Sequence, residues 1–307
     1  MPDADITSRT YEGASDLAPL LAFASRACRE RFPLYTLWHP GDIVWELKPE
    51  YDKPHRVRVW RRDSGDVVAA TMFAAPDQLW CELLPEVEHL LTEIVSRAER
   101  SVARAGRARL SIKAFDRDVG RTNALSQLSY RRGAEEGVCF LLDLGKPLPA
   151  SPAPSGFRVI DSVGIDPARR AKAHRDAWDD LAEIGLPDAR STFSTEIYEG
   201  LRNAPGYDPH LDMLVLAPNG TLVANCIVWI DEKSGIATFE PVGTHARYRR
   251  RGLARLAMHE ALRRAKVRGM RWARVSTAHF NAPAIAAYTR AGFELCDRAA
   301  WWTKELS

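Results

Sequence analysis

A proline-rich segment near the middle of the chain most constrains its architecture. Residues 145–156 include prolines at positions 147, 149, 152 and 154, and proline has no amide donor for a helix or a sheet. A strand-like apolar run, Val138 to Leu144, ends before this segment, and another, Phe157 to Ile160, follows it. The 307 residues suffice for about two ordinary domains. We therefore predict domains at residues 1–144 and 157–307, joined by a linker at 145–156.

Composition and charge exclude several classes of protein. The apolar content of 46% and the charged content of 27% are typical of globular chains and exclude wholesale disorder. The net charge of +3 is too small for a surface that tracks nucleic-acid phosphates. No apolar run approaches the roughly 18 residues needed to span a bilayer, and residues 1–12 lack the apolar core of a signal peptide. We expect a cytoplasmic protein with neither a membrane nor a nucleic acid as partner.

The cysteines predict neither a metal site nor a redox pair. They are odd in number and scattered, with no C-x-x-C spacing. We expect buried thiols and no metal. The five are Cys28, Cys81, Cys139, Cys226 and Cys296.

The second half alternates strands and helices. Apolar periodicity and turn residues predict a mixed α/β order around one sheet. The predicted strands are 157–160, 211–216, 222–230, 235–242, 272–276 and 293–304, and the predicted helices are 167–180, 194–203, 253–268 and 282–290.

The most informative stretch runs from Glu240 to Arg255 and reads as a strand, a short basic loop and a helix. Three arginines, 249–251, precede Gly252, and the helix follows directly. A helix N-terminus offers unpaired amides and partial positive charge, and glycine lets the backbone approach a ligand. The spacing matches neither the nucleoside-triphosphate loop nor the dinucleotide fingerprint. The stretch therefore favours a pyrophosphate that is bound without hydrolysis.

Two signatures in this half resemble those of the GCN5-related N-acetyltransferases (GNAT). Arg249-x-x-Gly252-x-Ala254 after a strand is similar to the first, and Asn281 with Tyr288 and Gly292-Phe293 is similar to the second. The resemblance covers about residues 157–307. It implies a mixed, mostly antiparallel sheet flanked by helices, with acetyl-CoA as co-substrate and no metal.

By this resemblance, acetyl-CoA lies in a V-shaped gap between the strand that ends near Thr244 and the strand at 272–276. A bulge accompanies the gap in the family, and Pro241, which cannot donate to a ladder, is consistent with one. The strand backbone would hold the pantetheine and the loop amides would hold the pyrophosphate. The implied binding residues are Val242, Gly243, Thr244, Arg249, Arg250, Arg251, Gly252, Leu253, Ala254, Arg255 and Asn281.

The resemblance also implies catalytic roles. Tyr288 matches the acid that protonates the leaving thiolate, and Glu240 stands where related enzymes often place a base. His245 competes for the second role, because an unperturbed imidazole titrates nearest neutral pH. We expect acetyl transfer from acetyl-CoA to a primary amine of a small molecule or peptide, by direct attack in a ternary complex.

Several alternatives stay open at this point. The chain could be a non-catalytic acyl-CoA-binding module, or a nucleic-acid binder that uses Arg247 and residues 249–251, although the small net charge disfavours the latter. Homodimerisation is also open. An acidic cluster is either a solvated helix end or a surface that faces a cationic amine; its members are Asp176, Asp179, Asp180 and Glu183.

The first half resembles a divergent copy of the second. An offset of 163 residues places Asp118 over Asn281, Leu125 over Tyr288 and Ser129 over Gly292. An offset of 161 places residues 85–93 over 246–254, with glutamates and no glycine in the loop. Negative charge would repel pyrophosphate, and the acid is absent. Chance similarity of two α/β halves is the alternative. We predict two tandem GNAT-like α/β domains, the first non-catalytic and packed so that it helps shape the acceptor pocket.

Overall fold

The computed structural model of the protein describes residues 5–47, 57–179 and 191–306. In these residues the strands are β1 (Ile6–Thr10), β2 (Val57–Arg62), β3 (Val67–Ala75), β4 (Gln78–Leu83), β5 (Arg109–Phe115), β6 (Arg131–Asp143), β7 (Arg158–Asp161), β8 (Asp212–Leu216), β9 (Leu222–Asp231), β10 (Ile236–Thr244), β11 (Trp272–Ala278) and β12 (Glu294–Glu305). The α-helices are α1 (Ala14–Arg31), α2 (Pro40–Leu47), α3 (Leu91–Arg104), α4 (Val119–Gln127), α5 (Pro167–Trp178), α6 (Thr195–Arg202), α7 (Leu253–Val267) and α8 (Ala282–Arg290).

The chain forms two compact units, and each takes a segment from the other half of the sequence. The first comprises the described residues of Met1–Pro40, Glu50–Cys139 and Cys296–Ser307, and the second those of Gly41–Pro49 and Phe140–Leu295. The linker at 145–156 and the domain boundaries predicted on either side of it, 1–144 and 157–307, stay a prediction.

The sheet of the first unit has the order β1-β2-β3-β4-β5-β12-β6. Neighbours from β1 to β4 are antiparallel, β4 and β5 are parallel, and β12 is antiparallel to β5. α1 packs on β3, and α3 packs on β5. α3 forms because its apolar side chains recur at helical spacing and are buried together; these are Leu91, Ile94, Val95, Ala98 and Val102.

The second unit repeats this plan with the order β6-β11-β10-β9-β8-β7. Neighbours from β7 to β10 are antiparallel, and β10 and β11 are parallel. α5 and α7 pack on β9 and β10. The predicted fold class, a mixed and mostly antiparallel sheet flanked by helices in each half, is confirmed.

The predicted repeat is confirmed most closely at the last helix of each half. The offset of 163 residues carries both ends of α4 onto those of α8. Asp118 and Asn281 each cap the helix with a side-chain oxygen. The chain leaves both helices through a left-handed residue, Ser129 with φ 69° and Gly292 with φ 99°. The two helices therefore share length, cap and exit geometry.

Among the helices that the structure describes, none is long and apolar enough to cross a membrane. The five cysteines are free thiols, four of them buried and Cys296 half-buried. Burial raises the pKa of the Cys81 thiol to about 12.

Candidate active site

The predicted gap lies between two strands of the second unit. β10 pairs with β11 over three residues only, the last being Thr238 opposite Arg274. Beyond this pair β10 continues to Thr244 without pairing to β11. On its other edge β10 stays paired with β9 through Val242, Gly243 and Thr244. The peptide groups of β10 that face the gap therefore have no strand partner there and are available to a ligand.

A bulge bends β10 where the gap opens. The register with β9 shifts between Phe239 and Val242, so the bulge holds Glu240 and Pro241. The indole of Trp229 donates to the carbonyl of Glu240 over 2.8 Å, and Trp229 is only 1% exposed. A buried hydrogen bond thus fixes the bulge, and the bulge that the family resemblance implied is confirmed.

The loop between β10 and α7 has a conformation that suits an anion. Arg250 and Gly252 have φ values of 62° and 77°, both left-handed. A non-glycine residue pays about 1 kcal/mol or more for this conformation, which is the one that lets successive loop amides converge on an anion. α7 begins at Leu253, and no side chain caps it. The amides of its first turn therefore keep their hydrogen-bonding capacity and the positive end of the helix dipole.

Two arginines beside this loop act differently. The Nε of Arg255 is buried and makes no hydrogen bond within the described chain, and its guanidinium reaches the open side of Gly252. A bound phosphate would satisfy such a nitrogen. Arg249 donates to the carbonyl of Thr244 over 3.2 Å and to that of Ala177 over 3.1 Å. Its side chain therefore braces the end of β10 against α5.

Tyr288 is buried in α8 and lies near Glu240. It is 6% exposed, and its ring packs edge-on against Phe140 with centroids 5.9 Å apart. Burial raises the pKa of Tyr288, and the negative charge of Glu240 raises this pKa further. The phenol is therefore protonated at neutral pH, as a general acid must be. The two predicted catalytic residues thus lie within electrostatic reach of each other.

Two other predicted site residues cap helical turns. Nδ1 of His245 accepts the backbone amide two residues later, at the start of a 3₁₀ turn (Ala246–Tyr248). Asn281 accepts an amide of the first turn of α8 and donates to Thr277 over 3.0 Å. His245 thereby orders the loop, and Asn281 fixes the helix that carries Tyr288.

A helix from the first half of the sequence contributes to this unit, which the sequence did not predict. Asp42 in α2 forms an ion pair with Arg274 and accepts the hydroxyl of Thr238 over 3.2 Å. Thr238 and Arg274 form the last strand pair before the gap, so Asp42 links β10 and β11 at the point where they separate. A Cβ on Gly41 would lie 2.2 Å from the Cβ of Trp229, so only glycine permits this approach of α2.

An aromatic cluster covers one face of β10 near the gap. Trp178 stacks on His174, with centroids 4.1 Å apart and planes within 6°. Phe193 lies 4.5 Å from the ring of His174, and Trp45 lies 5.4 Å from that of Phe193. A Cβ on Gly243 would lie 2.3 Å from Trp178, so the cluster touches the backbone that was predicted to hold pantetheine.

The acidic cluster on α5 is only partly described. Asp176 pairs with Lys172 over 2.6 Å, Asp179 is exposed, and Asp180 and Glu183 lie outside the described residues. Within residues 5–47, 57–179 and 191–306, no group of three or more His, Cys, Asp or Glu side chains could hold a metal.

The corresponding gap of the first unit is filled by the chain itself. β4 pairs with β5 only as far as Leu79. Arg121 donates to the carbonyl of Cys81 over 2.5 Å and to Glu82 over 3.1 Å, and the side chains of Arg121 and Glu82 are both nearly inaccessible. Arg31 extends this buried network. In addition, no residue at 85–91 has positive φ, so the left-handed loop conformation of the second unit is absent there.

A model of the GNAT acetyltransferase family matches residues 178–293, which include the gap, the loop and Tyr288. The chain carries a GNAT domain. No curated protein matches the chain. The family match and the fold together support acyl transfer by the GNAT domain.

Solved structures extend the likeness over both units. A GCN5-related N-acetyltransferase from Sphaerobacter thermophilus is 20% identical, with a TM-score of 0.62 over 98% of this chain and 96% of its own. A tandem GNAT protein from the clavulanic acid biosynthesis pathway is 17% identical, with a TM-score of 0.63 over 99% of both chains. A GNAT acetyltransferase from Colwellia psychrerythraea is 13% identical, with a TM-score of 0.60 over 97% of this chain and 100% of its own. At these identities the likeness shows the fold.

Proposed function

We propose that the GNAT domain transfers an acetyl group from acetyl-CoA to a primary amine of a small molecule or peptide, by direct attack in a ternary complex. One observation supports the proposal: the gap between β10 and β11, the left-handed loop before α7 and the buried Tyr288 all belong to one unit. The loop suits the pyrophosphate, the gap suits the pantetheine, and the phenol suits the sulfur.

The residues present fit acetyl-CoA. Left-handed Arg250 and Gly252 let the loop amides converge on an anion, and the buried Nε of Arg255 lacks a described partner that a phosphate would supply. The backbone of Val242 to Thr244 has one edge paired to β9 and the other directed into the gap. Acetyl-CoA supplies the thioester carbonyl that the amine attacks.

Two protein side chains transfer protons in the proposed reaction. Glu240 takes one proton from the amine, directly or through water, as the new N–C bond forms. Tyr288 gives one proton to the sulfur as the C–S bond breaks, so free CoA thiol leaves. The raised pKa of Tyr288 keeps its proton in place until that step. His245 is less suited to be the base, because its Nδ1 is committed to the turn.

The aromatic cluster favours an acceptor with an apolar portion. Trp178 contacts the backbone at Gly243, where the acetyl group would be presented, and the ring of His174 stacks on that of Trp178. An aliphatic or aromatic part of the acceptor would pack on the half-exposed Trp178, leaving its amine directed at the gap.

We further propose that the first unit neither binds coenzyme nor catalyses transfer. The guanidinium of Arg121 donates a hydrogen bond to the carbonyl of Cys81, on the strand beside the gap. Expelling it would leave Glu82, which is 1% exposed, without this charge partner.

The test is release of free CoA thiol from acetyl-CoA across a panel of primary amines. The Tyr288→Phe variant should lose about a hundredfold or more in turnover, typical of a lost general acid, while its affinity for acetyl-CoA changes less than about twofold. Tyr130→Phe is the matched control, because it removes a buried hydroxyl in the first unit, where Tyr130 bonds Glu99. It should keep full activity.

Two results would contradict the proposal. Equal turnover of the Tyr288→Phe and parent proteins would remove the acid role. Tight binding of acetyl-CoA with no thiol release for any amine would instead identify a non-catalytic acyl-CoA-binding module.

A further inference from the structure

The first unit contains a cavity lined by α3 and by strands β1 to β4. Its volume is about 550 Å³, within the range of roughly 300–1,000 Å³ that small-molecule sites occupy. It lies along α3 from Ile94 onward, whereas the helix N-terminus beside the filled gap begins at Leu91. The lining residues are Thr10, Val57, Arg58, Trp60, Thr71, Phe73, Leu79, Ile94, Arg97, Ala98, Arg100, Ser101 and Arg104.

Four arginines line this cavity, and none of its described lining residues carries a carboxylate. Arg97, Arg100 and Arg104 recur on one face of α3 at spacings of three and four residues. Arg58 faces them from β2. None of the four forms an ion pair with a described residue, whereas Arg61 on the same strand pairs with Asp16 over 3.0 Å. The cavity therefore concentrates positive charge that no ion pair with a described residue neutralises.

Hydroxyl groups accompany the arginines on the sheet. Thr10, Arg58 and Thr71 stand side by side across β1, β2 and β3. Arg58 donates to the hydroxyl of Thr10 over 3.3 Å. Burial lowers the pKa of Arg58, and the charge of Arg97 lowers it further. An anion held between these two guanidinium groups would relieve their repulsion.

The floor of the cavity is apolar. Trp60 is 4% exposed, and Leu79 and Ile94 are each 1% exposed. Phe73 adds a second aromatic ring to the lining. Charged donors around an apolar floor are typical of sites for organic ligands rather than for bare inorganic ions.

We propose that this cavity binds a small organic anion that carries at least two negative charges on phosphate or carboxylate groups. The guanidinium forks of Arg58 and Arg97 hold the charged groups, since arginine matches both oxyanions with paired hydrogen bonds. The apolar part of the ligand packs on Trp60 and Phe73. The site is independent of the acetyl-CoA site and of the proposed transfer reaction.

The test is calorimetric titration of the full chain with inorganic pyrophosphate and, separately, with citrate. Saturating CoA is present throughout, so that the loop of the second unit is occupied. At least one probe should bind once per chain, and the stronger probe shows whether phosphate or carboxylate is preferred. Arg58→Ala and Arg97→Ala should each weaken binding about tenfold or more, as expected for a lost charge-assisted contact.

Matched variants separate a site from general surface charge. Arg107→Ala removes an exposed arginine of the same unit that is outside the lining, and it should change the affinity less than about twofold. Arg58→Lys keeps the charge but loses the fork, and it should bind with intermediate affinity. If Arg58→Ala fails to fold, the exposed Arg97 on α3 still provides the readout.

Three results would overturn the proposal. The first is no saturable binding of either probe up to about 10 mM, which is weaker than a specific site requires. The second is an equal loss of affinity in Arg107→Ala. The third is binding of single-stranded RNA that strengthens with length while neither small probe binds, which would assign the arginines to a nucleic-acid surface.

Discussion

The contact between α2 and Trp229 makes a sharp prediction for Gly41→Ala. The added Cβ would lie 2.2 Å from the Cβ and 2.3 Å from the Cγ of Trp229. Carbon atoms in contact keep about 3.5–4.0 Å, so one group must move by more than about 1 Å. Trp229 is 1% exposed and its indole holds the carbonyl of Glu240, so it has little room to move. The substitution should therefore disturb both packing and the bulge.

The magnitude follows from two opposing terms. Overpacking of this kind costs about 1–3 kcal/mol, and a backbone-proximal clash belongs at the upper end. Alanine in a helix gains about 0.5–1 kcal/mol over glycine. The free energy of unfolding should thus fall by about 2 kcal/mol, by analogy with these measured ranges. Displacement of the Glu240 carbonyl should also lower turnover.

Calorimetric unfolding and the CoA-thiol assay measure these two effects. Gly200→Ala is the control: Gly200 also lies in a helix, but a Cβ there would meet nothing within 4 Å. That variant should be slightly stabilised, by about 0.5–1 kcal/mol, with unchanged activity. If Gly41→Ala behaves like Gly200→Ala, then α2 does not pack on the GNAT domain as described.

Three further substitutions test other contacts. Glu260→Gln should lower the free energy of unfolding by about 1 kcal/mol or less at pH 7, because the hydrogen bond from Arg263 lowers the pKa of Glu260 to about 2. This contribution is complete above the ordinary pKa of about 4.5 and is lost as the pH falls through 2. A difference from the parent that persists in urea unfolding below pH 2 would contradict it. Arg249→Met should weaken acetyl-CoA binding about tenfold in calorimetry, because it removes the hydrogen bond to the carbonyl of Thr244. Arg247→Met, at an exposed position nearby, should leave the affinity unchanged. Equal affinities of the two variants for acetyl-CoA would show that Arg249 does not brace the strand. Arg121→Met should lower the free energy of unfolding of the first unit by about 3–5 kcal/mol in a urea titration, because it leaves a buried carboxylate without this cation; a loss under about 1 kcal/mol would show that the network is not stabilising.

Local signals in the sequence predicted much of the second unit. α7 was predictable because its apolar side chains recur at helical spacing after Gly252. The family resemblance implied the bulge, and Pro241, which cannot donate in a ladder, was consistent with a bulge or an edge position. The equivalence of α4 and α8 followed from an offset of 163 residues and two capping side chains. Each of these signals lies within a few residues of the feature that it predicts.

Long-range features were not predictable in the same way. β5 has an apolar residue at every second position, Leu110, Ile112 and Ala114, and could have been found by this period of two. Its pairing with β12, however, joins residues nearly 200 positions apart. Asp42 gives no periodic signal, and only the fold brings it to Arg274. Likewise, Arg121 stands where the second copy has a small residue, and nothing local shows that its side chain fills a gap.

Equilibrium titration of the full chain with acetyl-CoA tests whether the second unit alone binds the coenzyme. We expect one site per chain, weakened about tenfold or more by Gly252→Ala, because alanine opposes the left-handed φ of 77° that the loop needs. Gly106→Ala is the matched control, with a similar φ of 73° in the first unit and open space around it, and it should leave the affinity unchanged. Two sites per chain, or equal effects of the two substitutions, would contradict this expectation.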